Sequence, residues 1–265
     1  HYPLRRQRQM CIRDRNATFR YDKIKNDFSL CIMKILAIRI GDKYGPEYET
    51  YLERKLPNHE FIWVREPYDT GVVLQWNKMW GMQMDIDEPI CVIDIDILLV
   101  NDYEKVFDYP VKHGQFLAMP GWWRDTEKSG YEINGGFFKY YPKDCKYIFD
   151  KFMSDPNHWQ HYYIKNGTTK GPVNGEQYFV EDSVKEKLEL ITLPKAWFTR
   201  WVTDESINYG KNMTKWQVEL TNKYNDITGN EYIYLGEEFH EDIKFVHFTH
   251  SLNKPHLWED YSIHV

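Results

Sequence analysis

Cysteine is scarce in this sequence and carries no pattern. The 265 residues hold four, at Cys11, Cys31, Cys91 and Cys145, with no Cys-x-x-Cys pair. Metal fingers and paired-cysteine redox centres are thereby excluded. Cys91 in an apolar strand and Cys145 on a helix are expected to be small buried thiols, reduced as in a cytoplasmic protein. Long hydrophobic runs are missing too. The most apolar stretch, residues 90–100, is broken by two aspartates and falls short of the roughly 18 uninterrupted apolar residues of a membrane helix. There is no internal repeat, low-complexity tract or linker. With 42% apolar and 28% charged residues, the chain is globular rather than disordered or fibrous.

Charge is divided unevenly. Residues 1–32 carry eight Lys/Arg against three Asp/Glu, whereas 33–265 carry 26 against 37. An acidic body of this size repels phosphate backbones, so nucleic acid is not an expected partner. The basic head has neither an apolar period nor the core of a signal peptide. It resembles translated sequencing-adapter sequence, and Met33 opens a buried strand. Residues 1–32 are therefore expected to be a non-native or disordered extension, and 33–265 a single domain.

Within that domain strands alternate with helices. Strands are expected at 34–40, 60–64, 90–100 and 244–249, and helices at 46–56, 73–84, 143–153 and 176–188. Asn134-Gly135 between apolar runs signals a strand or hairpin over 131–141. The polar segment 155–175 reads as a loop. Near-continuous apolar strands between helices predict an α/β fold with a mixed, mostly parallel sheet and helices on both faces.

The most informative feature is Asp94-Ile95-Asp96 inside ICVIDIDILLV. On a strand both carboxylates would project from one face. Burying even one unpaired carboxylate costs several kcal/mol. A divalent cation with a preference for hard oxygen ligands, Mn²⁺ or Mg²⁺, offsets that cost, and Lys, Arg or backbone amides are the other way to hold such a pair. Asp85-Ile86-Asp87 has the same spacing but lies in a polar loop, where it is expected to be solvated.

An apolar strand ending in Asp-x-Asp resembles the signature of nucleotide-sugar glycosyltransferases with the GT-A (Rossmann-like) fold. Other segments match in order the bacterial and viral enzymes related to glycosyltransferase family 8, the glycogenin-like group. The stretch ILAIRIGDKYGPEYETYL is similar to their first strand and nucleotide loop. Gln75-Trp76-Asn77-Lys78 resembles their W-x-K segment, and Ile133 to Phe137 their N-[SAG]-[GS] strand. Gly175-Glu176-Gln177 resembles G-D-Q with Glu for Asp. His250 to His256 resembles H-G-x-x-K-P-[HW] with Ser251 for Gly.

The resemblance implies a hexosyltransferase that uses a nucleotide-sugar donor, UDP-linked, and a glycan or similar hydroxyl acceptor, with retention of configuration. It implies donor contacts from Gly41, Asp42, Tyr44, Lys78, Asp94, Asn134, Gly135, Gly136 and Lys254. Metal ligands would be Asp94, Asp96 and a histidine: His250 by its spacing to Lys254, which is preferred, or His247 if one residue is inserted. Glu176 and Gln177 are the candidates for the far face of the sugar, and Glu176 would be the base if the enzyme inverted. Trp122, Trp123 and Trp197, near loops, offer faces on which sugars stack. Two readings from other classes remain: a haloacid-dehalogenase-like phosphatase with Asp94 as nucleophile, and a catalytically inactive glycan-binding module of the same fold.

Overall fold

Strand β1 (Lys34–Ile38) shows how the chain builds two cores around one sheet. Ile35 and Ala37 enter one apolar cluster and Leu36 the other, because successive side chains of a strand point to opposite faces. The same alternation recurs in β3 (Ile90–Ile93), where Cys91 and Ile93 face the first cluster and Ile90 and Val92 the second. The structure is a computed structural model that describes residues 32–202, 215–228, 233–234 and 241–249. Residues 1–31 of the expected extension, with His250 and Lys254, lie outside the described residues.

The main sheet also contains β2 (Glu60–Val64), β5 (Gln115–Pro120), β6 (Ile133–Tyr140) and β7 (Glu189–Thr192), in the order β2-β1-β3-β6-β5-β7. Only β6 runs against the others, so the sheet is mixed and mostly parallel. Helices cover both faces. On one side lie α1 (Pro46–Lys55) and the short α2 (Glu104–Asp108). The short α3 (Thr126–Ser129) contributes no buried residue. The other side holds a 3-10 helix (Leu74–Gln83), α4 (Pro142–Ser154), α5 (Pro156–Lys165) and α6 (Gly175–Lys187). A second sheet, β4-β10-β8-β9, comprises β4 (Ile97–Leu99), β8 (Phe198–Val202), β9 (Ile233–Tyr234) and β10 (Phe245–Thr249). Helix α7 (Lys215–Thr228) packs near β9. No helix among the described residues is long and apolar enough to cross a membrane. Cys91 and Cys145 are buried free thiols.

Two expectations are corrected. The apolar run 90–100 is two strands in two sheets, with Asp94-Ile95-Asp96 in the bend between them. Carboxylates have no place inside a buried ladder, so the chain leaves the main sheet there and Ile97–Leu99 pairs with β10 instead. Of the strand or hairpin expected over 131–141, the strand is present: β6 runs straight through Asn134-Gly135, and its pairing with β5 jumps from Ala118↔Phe138 to Met119↔Asn134. Residues 135–137 are therefore an extended bulge. Residues 156–165 of the expected loop form α5, because the Asp155 side chain caps the helix by accepting from His158 N at 2.9 Å and Pro156 suits its first turn. The 73–84 helix is present but winds as a 3-10 helix.

Tyr51 of α1 joins the two sheets. Its buried hydroxyl accepts a hydrogen bond from Leu99 N of β4 at 2.8 Å. Tyr51→Phe leaves that amide without its partner in the core. We expect a loss of about 1–3 kcal/mol, read as a lower urea midpoint at unchanged slope.

Candidate active site

The bend after β3 and the bulge in β6 meet at one pole of the sheet. Asp94 N still donates to Gly136 O at 2.9 Å, which extends the β3–β6 ladder by one bond. Beyond it the bulge has lost its pairing with β5, and side chains satisfy its backbone instead. Gly135 N donates to Gln177 Oε1 at 3.1 Å, Gly135 O accepts from Lys78 Nζ at 2.6 Å, and Gly136 N donates to Asn134 Oδ1 at 2.8 Å. The ends of two side chains approach these glycines closely. A Cβ at Gly135 would lie 2.8 Å from Glu176 Oε2, and one at Gly136 would lie 2.2 Å from Met119 Cε. Protein groups therefore fill the space beside these glycines.

Asp94 and Asp96 are each held by one oxygen. Lys78 Nζ lies 2.7 Å from Asp94 Oδ1, and the Tyr44 hydroxyl donates to Asp96 Oδ2 at 3.0 Å. The remaining oxygens, Asp94 Oδ2 and Asp96 Oδ1, face His247 Nε2 at 3.7 and 3.5 Å. His247 comes to this spot by register, since it pairs with Ile97 across the β10–β4 ladder, next to Asp96. The sequence offered two histidines; of these, His247 is described and stands in the cluster. Both of its ring nitrogens are buried with no hydrogen-bond partner among the described residues. A buried imidazole converging with two carboxylate oxygens, ligand atoms all within 4.8 Å of one another, is a donor set that fits Mn²⁺ or Mg²⁺.

The electrostatics follow from burial and one ammonium. Lys78 is 2% exposed. Burial works against its charge, but Asp94 and Glu176 hold its pKa above the usual lysine value. Burial would push Asp94 up, yet Lys78 and His247 bring it below the ordinary aspartate value. Glu176, also 2% exposed, is pushed by burial up to about 7, with Lys78 opposing from 3.8 Å. For His247, burial disfavours the charge, but the two carboxylates raise it to about 9.

The structure thus gathers Tyr44, Lys78, Asp94, Asp96, Asn134, Gly135, Gly136, Glu176, Gln177 and His247. Gly41 and Asp42 sit on the exposed loop that leads to Tyr44, with Gly41 at φ +77°. Trp122 packs on Trp123 and Phe198, and Trp197 meets Tyr109 edge-on, all half-buried. Asp85 and Asp87 are exposed near Lys143. Sequence reasoning missed Arg39 and Arg65, which follow β1 and β2 directly and both clasp Glu49 of α1. A cation at the carboxyl end of each of two parallel strands was the available signal.

No protein-family profile matches this chain, and no curated protein sequence matches it. Solved structures do resemble it weakly. The galactosyltransferase LgtC, in complex with donor and acceptor sugar analogues, is 13% identical with a TM-score of 0.42, over 63% of this chain and 76% of LgtC. The glycosyltransferase GlyE of Streptococcus pneumoniae TIGR4 is 11% identical with a TM-score of 0.48, over 89% of this chain and 62% of GlyE. Mouse xyloside xylosyltransferase 1 is 12% identical with a TM-score of 0.40, over 80% of this chain and 84% of that enzyme.

Proposed function

We propose that this chain is a metal-dependent glycosyltransferase that moves a hexose from a nucleotide-sugar, UDP-linked, to a hydroxyl of a glycan or similar acceptor, with retention. The observation that carries the reading is the convergence of Asp94 Oδ2, Asp96 Oδ1 and the buried His247 Nε2. Asp94, Asp96 and His247 would hold a divalent cation, which would supply Lewis-acid stabilisation of the charge developing on a departing nucleoside diphosphate. The chain's own residues do the rest. Tyr44 and its loop present the surface for the nucleoside at the carboxyl end of β1. Asn134 and the Gly135–Gly136 bulge lie beside Asp94 and shape the donor side of the site. Glu176 and Gln177, from the first turn of α6, pack against that bulge and are the candidates to stabilise an electron-poor sugar carbon. Lys78 fits the role of a positioning residue rather than a donor contact, since its ammonium is engaged by Asp94 and Gly135 O. The phosphatase reading has no support: the cluster of metal-ligating groups found among the described residues is Asp94, Asp96 and His247, without a second pair of aspartates.

Calorimetry of UDP with and without Mn²⁺, followed by assay of UDP-sugar consumption, tests the proposal. We expect UDP binding that depends on Mn²⁺ and disappears in Asp96→Ala, and turnover that falls roughly a thousandfold in that variant, as the loss of about 4 kcal/mol of charge stabilisation implies. Mn²⁺-dependent UDP binding without sugar release would identify a binding module instead. Phosphate release from a phosphomonoester, with no UDP binding, would refute the reading.

A second expectation concerns pH. Glu176 faces Lys78 from the 3-10 helix, Asp94 at the end of β3 and Tyr140 of β6. Its folded pKa, about 7, lies above the ordinary 4.5, so the folded state holds the proton more tightly. The stabilisation this provides is complete below pH 4.5 and is lost as pH rises through 7. Comparing urea midpoints of the metal-free wild type with Glu176→Gln should show the wild type losing ground over that window. Parallel curves would mean that Glu176 is already ionised throughout.

A further inference from the structure

We propose that Tyr44 is a positioning residue for the metal site: its hydroxyl fixes Asp96 so that Oδ1 faces His247, which makes metal affinity depend on the loop that carries Tyr44. The inference rests on the metal reading of the Asp94–Asp96–His247 cluster and adds to it. An aspartate carboxylate turns about its Cβ–Cγ bond almost freely, and a site assembled from two of them needs each one stopped. Lys78 stops Asp94 at Oδ1. Among the described residues, the hydrogen-bond donor to Asp96 is the Tyr44 hydroxyl, at Oδ2. Both arrangements have one form: a donor from outside the cluster takes one oxygen and the other oxygen is left facing His247.

Tyr44 is itself braced. Its ring meets Tyr48 of α1 edge-on at 5.0 Å, and its carbonyl oxygen accepts from Arg39 Nη1 at 3.5 Å. Arg39 in turn is clasped by Glu49 of α1. The hydroxyl is therefore presented by β1 and α1, whereas Asp96 belongs to the bend between β3 and β4, 52 residues further along. A group that orients a ligating carboxylate typically changes metal affinity roughly 10- to 100-fold. Whatever moves the loop at 41–45 moves that orienting group, so occupation of the loop and of the metal site are linked, and linkage is reciprocal.

The test is Mn²⁺ binding to the nucleotide-free protein, by calorimetry and by electron paramagnetic resonance of the bound ion, for wild type, Tyr44→Phe and Asp96→Asn. Phe keeps the ring and its packing and removes only the hydroxyl. We expect Tyr44→Phe to bind Mn²⁺ roughly 10- to 100-fold more weakly and with an altered zero-field splitting, which reports ligand geometry and is indifferent to fold stability. Affinity within about twofold of wild type, or weakened affinity with an unaltered spectrum, overturns the role of Tyr44 while weak binding in Asp96→Asn leaves the metal site standing. Equal Mn²⁺ binding by wild type and Asp96→Asn overturns the metal site, and this inference with it. Urea midpoints of the metal-free variants confirm that each is folded before its affinity is read.

Discussion

A single buried ammonium organises the site. Lys78 is almost wholly removed from water, a position that is tolerable only with charge and hydrogen-bond partners in place. It finds them on three different elements: Asp94 at the end of β3, the carbonyl of Gly135 in the β6 bulge, and Glu176 at the start of α6. Since the lysine comes from the 3-10 helix, four segments distant in sequence are tied at one point. Exchanging Lys78 for an apolar residue would strand two carboxylates and a backbone oxygen, so the lysine constrains the register of everything around it.

The bulge is what makes that point available. A β6 paired with β5 along its whole length would spend the Gly135 amide and carbonyl on the ladder. Because the pairing jumps over 135–137, those groups turn instead to Gln177 and Lys78. The change of sheet after β3 acts in the same way on the other side. With Asp94 as the last residue bonded to β6, the chain bends, and the strand that follows recruits β10 and with it His247. Two local departures from regular pairing thus create one site, as expected where backbone regularity yields to function.

Much of this was legible in the sequence, and the rest was hidden for identifiable reasons. Strand and helix positions followed from apolar period and proline placement, so β1, α1, β2, α4, α6 and β10 stand within a residue or two of expectation. The Asp-x-Asp pair announced itself as a group needing partners, although the expected geometry, alternation along one strand, was wrong. The error has a cause: an apolar run reports burial, and burial is the same whether residues lie in one sheet or two. Asn-Gly left strand and hairpin both open, because it permits a turn without requiring one, and the β5 register that decides between them lies elsewhere in the chain. Pairing across 52 residues, as between Tyr44 and Asp96, or across the β10 register that selects His247, leaves no local trace in one sequence.

The site carries part of the unmet polar demand among the described residues. Seven buried side-chain atoms lack a partner among the described residues, and three of them belong to Glu176 and His247. The other four belong to Tyr68, Gln75, Tyr140 and Thr199, with Tyr140 inside the second apolar core. Each such group costs about 1–3 kcal/mol relative to a satisfied one, which selection for stability alone would remove. Under the proposed function, the groups of Glu176 and His247 are the ones that a bound donor and metal would satisfy. Binding then returns free energy that folding leaves unrealised, and the same residues that weaken the empty protein strengthen the occupied one.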